Sequence, residues 1–343
     1  MQILVTGGTG YIGSHTCVEL LKAGYEVVVL DNLSNSNLIA LDRVKEITGK
    51  EIKFYKADLL NKDEISAVFH QNNIEAVIHF AGLKAVGESN RIPLKYYQNN
   101  ITGTLNLCEI MGNFGVKRLV FSSSATVYSR FNENPLTEDS KLGATNPYGR
   151  TKLMLEQILE DLYISDKEWN ITLLRYFNPI GAHESTLIGE DPNDIPNNLV
   201  PYITQVAVGK LDELKIFGND YPTPDGTGLR DYIHVIDLAI GHIKALDQSK
   251  NTTGFNVYNL GTGNSYSVLD VIKTFEEISG KKISYKIVER RSGDIAVCYA
   301  NPEKAFKELN WKAERDLKSM LRDSWNWQRN NKNGYSTYNK VLN

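Results

Sequence analysis

The first half of the chain alternates short apolar runs with longer stretches of helical periodicity. The apolar runs are typical of parallel strands buried on both faces, and they predict strands at Ile3–Val5, Val27–Leu30, Ile52–Tyr55, Ala76–Phe80, Leu119–Phe121 and Ile171–Tyr176. Helical spacing predicts helices between them, at Tyr11–Ala23, Leu38–Thr48, Thr102–Met111 and Tyr148–Ile164. Strands that alternate with helices predict an α/β fold with a doubly wound parallel sheet.

The pattern changes after Phe177, where proline and glycine become frequent. The segment 221–228 (YPTPDGTG) is a predicted loop, and alternating apolar residues predict a strand within Lys282–Glu289. Helical spacing predicts a helix that carries Leu317, Met320, Leu321 and Trp325. We therefore predict two domains, 1–177 and a smaller mixed α/β domain at 178–343, from which segments such as 232–262 return to pack on the first.

Composition excludes several classes of function. The 343 residues carry 38 basic and 41 acidic side chains, so the net charge of −3 offers no basic footprint for nucleic acid. No apolar run approaches the ~20 residues that cross a bilayer, and the sequence does not open with a basic and then apolar leader. The widely spaced Cys17, Cys108 and Cys298 are typical of reduced thiols, so we expect a cytoplasmic protein. The histidines show no metal-ligand spacing, and we expect no metal.

A glycine-rich loop joins the first predicted strand to the first helix. Gly7, Gly10 and Gly13 let the backbone turn and approach a pyrophosphate, which the N–H groups of a helix N-terminus bind well. Asp31 closes the second strand, 18 residues after Gly13. A carboxylate there accepts hydrogen bonds from ribose hydroxyls and repels a 2′-phosphate, which favours NAD over NADP in a Rossmann-type domain. The alternative is a tight turn with a surface aspartate.

Further candidates lie at the ends of other predicted strands, the edge at which open α/β sheets bind ligands. Asp58 and Leu59 follow the third strand, and Phe80, Ala81, Gly82 and Lys84 end or follow the fourth. Each of these could instead be an ordinary turn residue or a solvated charge.

A serine, a tyrosine and a lysine form a candidate catalytic group. Tyr148 and Lys152 are four residues apart and share one face of a predicted helix, and the three serines Ser122-Ser123-Ser124 end the fifth strand. A phenol is a poor base at neutral pH, because its pKa is about 10. A nearby ammonium and the charge of NAD⁺ both favour the phenolate. The alternative is an exposed Tyr and Lys at an amphipathic helix start.

Three motifs resemble those of the extended short-chain dehydrogenase/reductases: TGGTGYIG at 6–13, SSSATVY at 122–128 and YGRTK at 148–152. Within that family, further motifs resemble the UDP-glucose 4-epimerases; these are YFNP at 176–179, IPNNL at 195–199, GNDY at 218–221, RDYIHV at 230–235, RRSGD at 290–294 and LNW at 309–311. The similarity runs from Ile3 to about Trp327.

The resemblance implies a role for each matching residue. It implies an NAD-binding Rossmann domain at 1–177 and a UDP-sugar-binding domain at 178–343. NAD contacts are implied for Gly7, Gly10, Tyr11, Ile12, Gly13, Asp31, Asn32, Asn35, Asp58, Leu59, Phe80, Ala81, Gly82, Lys84, Asn99, Ser124, Tyr148, Lys152 and Phe177. Catalysis is implied for Tyr148, Lys152 and Ser124. Substrate contacts are implied for Asn178, Asn198, Leu199, Phe217, Arg230, Arg291, Asp294 and Cys298.

The reaction implied is inversion at C4 of a UDP-sugar through transient oxidation by tightly bound NAD. Arginine suits the diphosphate, although Arg230 or Arg291 alone could equally form a surface ion pair. A 4,6-dehydratase would need carboxyl groups where this chain has Ser124-Ala125-Thr126. The chain could also be a net dehydrogenase or a noncatalytic NAD sensor, although a sensor would not need Tyr148 or Lys152.

Two finer expectations follow from the resemblance. Cys298 matches a position beside the C2 substituent of the sugar, so we expect room for UDP-GalNAc and UDP-GlcNAc as well; the alternative is a small buried thiol with the pocket closed by another residue. Met154 and Ile158 flank the face of the Tyr148–Ile164 helix that packs on the sheet. We expect a homodimer through this flank and the Asn99–Met111 helix, unless the flank packs within the chain.

Overall fold

Predicted and unpredicted strands together build the frame of the molecule. The structure is a computed structural model that describes residues 1–193, 195–250, 253–291 and 293–335. Its strands are β1 (Gln2–Thr6), β2 (Glu26–Asp31), β3 (Lys53–Lys56), β4 (Ile74–His79), β5 (Arg118–Ser124), β6 (Asn170–Tyr176), β7 (Asn178–Ile180), β8 (Leu214–Phe217), β9 (Leu229–Arg230), β10 (Tyr232–His234), β11 (Gly254–Leu260), β12 (Tyr266–Ser267), β13 (Tyr285–Val288) and β14 (Val297–Cys298).

The α-helices alternate with the strands in the first half and become irregularly spaced later. They are α1 (Tyr11–Lys22), α2 (Ile39–Thr48), α3 (Lys62–Gln71), α4 (Val86–Arg91), α5 (Pro93–Tyr97), α6 (Gly103–Asn113), α7 (Pro147–Ser165), α8 (Leu199–Ala207), α9 (Val235–Gln248), α10 (Val268–Ser279), α11 (Glu303–Leu309) and α12 (Leu317–Asn330). A π-helical turn at Gln98–Thr102 joins α5 to α6, and a 3₁₀ turn at Ala125–Val127 follows β5.

Seven parallel strands form the main sheet, in the order β11-β6-β5-β4-β1-β2-β3. This is the doubly wound parallel sheet that the sequence predicts, and the fold-class prediction is confirmed. The strand order reverses between β1 and β4, so the loops that follow these two strands diverge and leave a crevice between them.

The central strands are buried on both faces because their apolar runs are continuous. Ile3 and Val5 contact the core formed with α1, α2 and α9, whereas Leu4 contacts the core formed with α3, α6 and α7. All three side chains are 0% exposed. Burial on both faces fixes the register of the strands, and with it the positions of the loops at their carboxyl ends.

The second half of the chain contributes to both parts of the molecule. Strand β11 adds to the main sheet beside β6, and α9 packs against α1, where the Tyr25 hydroxyl donates to Asp247. The sequence pattern does not single out β11, because Asn256 and Asn259 interrupt its apolar run. Asn259 is nevertheless fully buried and accepts a hydrogen bond from the Tyr128 hydroxyl at 2.7 Å.

The remaining elements form a smaller unit around a separate apolar core. Strands β9, β12 and β14 form one small sheet, β8 pairs with β13, and β7 pairs with β10. Helices α8, α10 and α12 cover the core, in which the rings of Phe275 and Trp325 meet edge to face. The predicted strand within Lys282–Glu289 is confirmed in its central part as β13.

Candidate functional site

The glycine loop between β1 and α1 is a cradle that side chains would fill. A Cβ on Gly7, whose φ is +70°, would lie 2.8 Å from the backbone nitrogen of Ala81. A Cβ on Gly13 would lie 2.2 Å from the carbonyl oxygen of Gly7. Helix α1 begins at Tyr11, followed by Ile12, and its N-cap Gly10 provides no side-chain acceptor. The first N–H groups of the helix therefore remain available for an anion, as the pyrophosphate of a dinucleotide requires.

Asp31 ends β2 and ties this strand to the glycine loop. Its carboxylate accepts hydrogen bonds from the Thr9 N–H at 3.2 Å, the Leu33 N–H at 2.9 Å and the Ser36 hydroxyl at 2.9 Å. The side chain is buried, with 7% exposed. The sequence prediction missed Thr9 and Ser36, whose short side chains hydrogen-bond to each other at 2.7 Å beside the carboxylate.

The loops after β2 and β3 lie next to each other. The Asn32 amide donates to the Asp58 carboxylate at 3.0 Å, and the Leu59 carbonyl accepts from Asn106 at 2.9 Å. Asn35 extends further toward the second unit, where its amide oxygen is 3.4 Å from the amide nitrogen of Asn193. These residues form a polar rim beside Asp31.

The loop after β4 forms the opposite wall of the crevice and is held by Asn100, which sequence reasoning missed. The Asn100 amide accepts from the Leu83 N–H at 2.8 Å and donates to the Leu83 carbonyl at 3.0 Å. The Asn99 amide bonds to Asn100 in turn, at 3.0 Å. The other predicted residues of this wall are Phe80, Ala81, Gly82 and Lys84, which follow β4 directly. Asn100 lies on the π-helical turn, which the sequence pattern does not predict.

Ser124 and Tyr148 meet at the end of β5. Asn146 caps α7 by accepting from the Gly149 N–H at 2.9 Å, which fixes the start of the helix and places Tyr148 in its first turn. The Tyr148 phenol lies beside the Ser124 hydroxyl, which accepts from the Thr126 N–H at 3.2 Å. Burial raises the pKa of the Tyr148 phenol above its usual value, and the neighbouring Ser124 hydroxyl opposes this shift. The phenol of the chain alone is thus protonated at neutral pH.

Lys152 lies below Tyr148 on the same helix and points into the sheet. Its ammonium donates to the Ser122 carbonyl oxygen at 2.6 Å and lies 4.7 Å from the centre of the Phe121 ring. Burial lowers the pKa of Lys152 to about 8, although the Glu156 carboxylate raises it. The expected lowering of the Tyr148 pKa by Lys152 and bound NAD⁺ together stays a prediction.

A buried ion pair supports this helix from behind. Glu156 accepts from the Arg175 guanidinium at 2.6 and 2.9 Å and from the Ser123 hydroxyl. Both charged side chains are at most 5% exposed. Arg175 also donates to the Tyr128 hydroxyl at 3.2 Å. Sequence reasoning missed this pair, since nothing in a strand sequence signals an arginine whose partner lies on a helix.

The predicted substrate residues come from separate elements of the smaller unit. Arg291 donates to Asp294 at 2.9 Å and lies 4.7 Å from the centre of the Phe217 ring. The Arg230 guanidinium donates to the Leu229 carbonyl at 2.9 Å. Ser292 of the RRSGD motif lies outside the described residues. Three residues of the predicted substrate set thus form one group even without a ligand.

Contacts connect the smaller unit to the end of β6 and to the start of α7. Phe177, directly after β6, shares a small apolar cluster with Cys298, which lies beside Arg230 in the register of β14 and β9. A Cβ on Gly293 would lie 3.7 Å from the Thr145 hydroxyl, close to the start of α7. Asn178 begins β7, Asn198 precedes α8 and Leu199 begins it.

The described residues lack the features of a metal site and of a membrane-spanning helix. Across those ranges, the histidine, cysteine and acidic side chains form no group that could hold a metal ion. Among the helices described there, none combines the length and apolar character of a membrane span.

Comparison with known proteins agrees with this geometry. Residues 3–261 match the model of the NAD dependent epimerase/dehydratase family. A Bacillus subtilis UDP-glucose 4-epimerase is 66% identical over 337 residues, which cover 98% of this chain and 99% of the relative. The chain also superimposes on a crystal structure of the Bifidobacterium longum UDP-glucose 4-epimerase in complex with NAD⁺ and UDP, with a TM-score of 0.95, 55% identity, and coverage of 97% of this chain and 100% of that one.

A structural neighbour with lower sequence identity is named for two kinds of UDP-sugar. The UDP-Glc/GlcNAc 4-epimerase of Campylobacter jejuni is 37% identical, with a TM-score of 0.83, and the match covers 96% of this chain and 99% of that chain.

Proposed function

Because the chain belongs to the NAD dependent epimerase/dehydratase family and, within it, to the UDP-glucose 4-epimerases, we propose that it interconverts UDP-galactose and UDP-glucose with tightly bound NAD. The observation that carries the proposal is the position of Tyr148, in the first turn of α7 beside Ser124, at the same sheet edge as the glycine cradle. That arrangement supplies a proton acceptor beside a dinucleotide site.

The cradle fits NAD. Residues at the start of α1 would hold the pyrophosphate. Asp31 would accept from the adenosine ribose with the acceptor capacity that its three donors in the chain leave, since a carboxylate offers about four lone-pair sites. Phe177 and Lys152 lie further along the sheet edge, where the nicotinamide end would lie. When bound, NAD supplies a reversible hydride acceptor for C4 of the sugar.

The residues of the chain handle the proton and the anchor. Tyr148 takes the proton of the sugar O4 hydroxyl and later gives a proton back to the same oxygen, and Ser124 orients that oxygen. Arg230 and Arg291 hold the diphosphate, and Asp294 accepts from the uridine ribose. Because the diphosphate stays bound, the oxidised sugar can rotate about its link to the diphosphate and present its other face to the hydride donor. The hydride then returns to the opposite face of C4, so that C4 is inverted.

Incubation of the purified protein with UDP-galactose, without added NAD, tests this proposal. We expect UDP-glucose to accumulate until the two sugars reach equilibrium, because the cofactor ends each turnover as it began. A net dehydrogenase would instead stop after one turnover per enzyme. A 4,6-dehydratase would release water and a deoxy sugar, but the 3₁₀ turn after Ser124 carries Ala125 and Thr126 rather than carboxyl groups.

A second activity, on the N-acetylated pair UDP-GalNAc and UDP-GlcNAc, is favoured by Cys298. Its small side chain lies on β14 beside Arg230, in the cluster that includes Phe177. The substituent at C2 of the sugar would point toward this strand. Cysteine leaves there most of the volume that a tyrosine would fill.

We also propose a homodimer. Met154 on α7 and Leu105 on α6 are 41% and 44% exposed, and Leu94 on α5, which packs along α7, is 81% exposed. Ile158 is half-buried against the core of the same chain. Contacts within the chain therefore cover only part of this flank of α7. Light scattering should give twice the mass of the 38.6 kDa chain; the mass of a single chain at micromolar concentration would contradict it.

Two coarser proposals concern organisation and location. We place the boundary between an NAD-binding domain and a UDP-sugar-binding domain near residue 177, with α9 and β11 returning to the first domain. We place the protein in the cytoplasm, since Cys17, Cys108 and Cys298 are unpaired and buried, as reduced thiols usually are. Cell fractionation tests the location.

A further inference from the structure

Glu190 lies between the two sides of the crevice and belongs to none of the predicted sets. One oxygen of its carboxylate accepts from the Asn198 amide at 2.8 Å and lies 3.3 Å from the Lys84 ammonium. Lys84 follows β4 on the cofactor side, whereas Asn198 precedes α8 on the substrate side. A single carboxylate oxygen thus joins a predicted cofactor residue to a predicted substrate residue.

The backbone around Glu190 is anchored to the C-terminal part of the chain. The Trp327 indole donates to the Glu190 carbonyl at 3.3 Å, and the Asp191 carboxylate accepts from the Tyr335 N–H at 2.8 Å. Gly189 packs directly on the Trp327 ring, where a Cβ would lie 2.3 Å from the nearest ring atom. The loop therefore cannot shift without disturbing α12, and the backbone of Glu190 is held in place.

The carboxylate is also close to the start of the cofactor helix. Its charge helps to raise the pKa of the Tyr11 phenol, and the Tyr11 hydroxyl donates to the Gly181 carbonyl at 2.7 Å. Only 12% of the Glu190 side chain is exposed, against 51% for Lys84. A rigid, nearly buried acceptor therefore holds a long side chain that solvent would otherwise leave free to move.

We propose that Glu190 is a positioning residue that holds Lys84 and Asn198 ready for the two ligands and so links NAD retention to UDP-sugar binding. This inference rests on the proposed function, since it takes Lys84 and Asn198 as ligand contacts. The physical reason is entropic. A side chain that is already ordered loses little freedom when it binds its ligand. Because Glu190 acts through other residues, its loss should affect binding more than the chemical step.

The experiment compares Glu190→Ala and Glu190→Gln with Glu184→Gln, an exposed carboxylate of the same loop. Each holoenzyme is assayed for UDP affinity by calorimetry, for NAD retained after gel filtration, and for kcat and KM with UDP-galactose. We expect Glu190→Ala to weaken UDP binding about three- to tenfold, as the loss of a hydrogen bond does, to raise KM similarly and to retain less NAD. We expect kcat within about twofold of native.

Glu190→Gln should have UDP affinity and NAD retention between those of the native enzyme and Glu190→Ala. The amide oxygen still accepts from Asn198, but it carries no charge to attract Lys84. In an Asn198→Ala background, Glu190→Gln should weaken UDP binding no further, which a general loss of stability would not produce. If Glu190→Gln fails to fold, Glu190→Ala alone and Glu190→Ala in the Asn198→Ala background decide.

The inference is overturned if both Glu190 variants match Glu184→Gln in UDP affinity and NAD retention. It is also overturned if the loss of UDP affinity in the double variant equals the product of the two single losses, because the two residues would then act independently. Failure of the proposed function gives a different result: native enzyme that leaves UDP-galactose unchanged. The two binding measurements would still decide the role of Glu190.

Discussion

The protonation state of Tyr148 controls the chemistry at the residue scale. Burial raises the pKa of this phenol, and the neighbouring Ser124 hydroxyl opposes that shift. A phenol that must accept a proton near pH 7 therefore needs a positive charge in the cofactor site, which favours the phenolate. Base strength and cofactor occupancy are thus coupled at one residue.

Replacement of Tyr148 by phenylalanine removes the proton acceptor and keeps the ring. We expect kcat to fall at least about 100-fold, the usual contribution of a general base, whereas calorimetry should find UDP affinity within a few-fold of native. A variant with near-native kcat at pH 7 would rule out Tyr148 as the principal base.

Replacement of Cys298 by tyrosine tests the second activity. The Cys298 side chain is 8% exposed, in a cluster with Phe177 and Val127, so added volume must project into the crevice or disturb that cluster. We expect kcat/KM for UDP-GalNAc to fall well over tenfold and that for UDP-galactose to change little. Native enzyme without UDP-GalNAc turnover would contradict the proposal, and a parallel loss of both activities would indicate misfolding.

At the scale of elements, α7 joins catalysis to the core. Tyr148, Lys152 and Glu156 recur every four residues along one helix face. The last of them is paired with Arg175 on β6, so the ion pair fixes the helix to the strand that precedes Phe177.

Glu156→Gln leaves the Arg175 charge buried without a counter-charge. We expect the free energy of unfolding to fall by about 3 kcal/mol, the usual consequence of breaking a buried pair on one side. Glu160→Gln, an exposed change on the same helix, should cost less than ~0.5 kcal/mol. Urea denaturation measures both. Equal effects of the two substitutions would show that the buried pair contributes nothing specific.

The elements differ in how far their sequences predict them. The apolar run of β2 and the helical periodicity of α1 are long enough to predict the ends of each element within one or two residues. Strands β9, β12 and β14 have two residues each, which is too short for any period. Asn100, Arg175 and Glu190 escaped prediction for another reason: each acts through partners far away in the chain, and single-sequence patterns report only near neighbours.

At the scale of the whole molecule, buried histidines make stability depend on acid. Burial lowers the pKa of His15 to about 3, of His79 to about 3 and of His242 to about 4. Below pH 6.5 these imidazoles bind protons in the unfolded chain but remain neutral in the folded chain. The free energy of unfolding therefore falls as the pH falls toward these values. Above pH 6.5 these groups contribute no such dependence.

His242→Leu should lower by one the number of protons that the chain takes up on unfolding in acid. Between pH 6.5 and about 4, the free energy of unfolding of the native protein should fall more steeply than that of the variant, by up to ~1.4 kcal/mol per pH unit. The exposed His70→Gln variant should keep the native slope. A His242→Leu slope equal to that of native would mean that this imidazole is charged in the folded state.

The central claim is that C4 is inverted by oxidation and reduction within one site, and isotope labelling tests it most directly. UDP-galactose carrying deuterium at C4 is converted by the holoenzyme in ordinary water, and the UDP-glucose formed is examined by NMR. We predict that deuterium stays at C4, because the hydride removed from that carbon returns to it without exchange with solvent. Replacement of the deuterium by solvent hydrogen would contradict the account, since it would mean that C4 is inverted by loss of a proton.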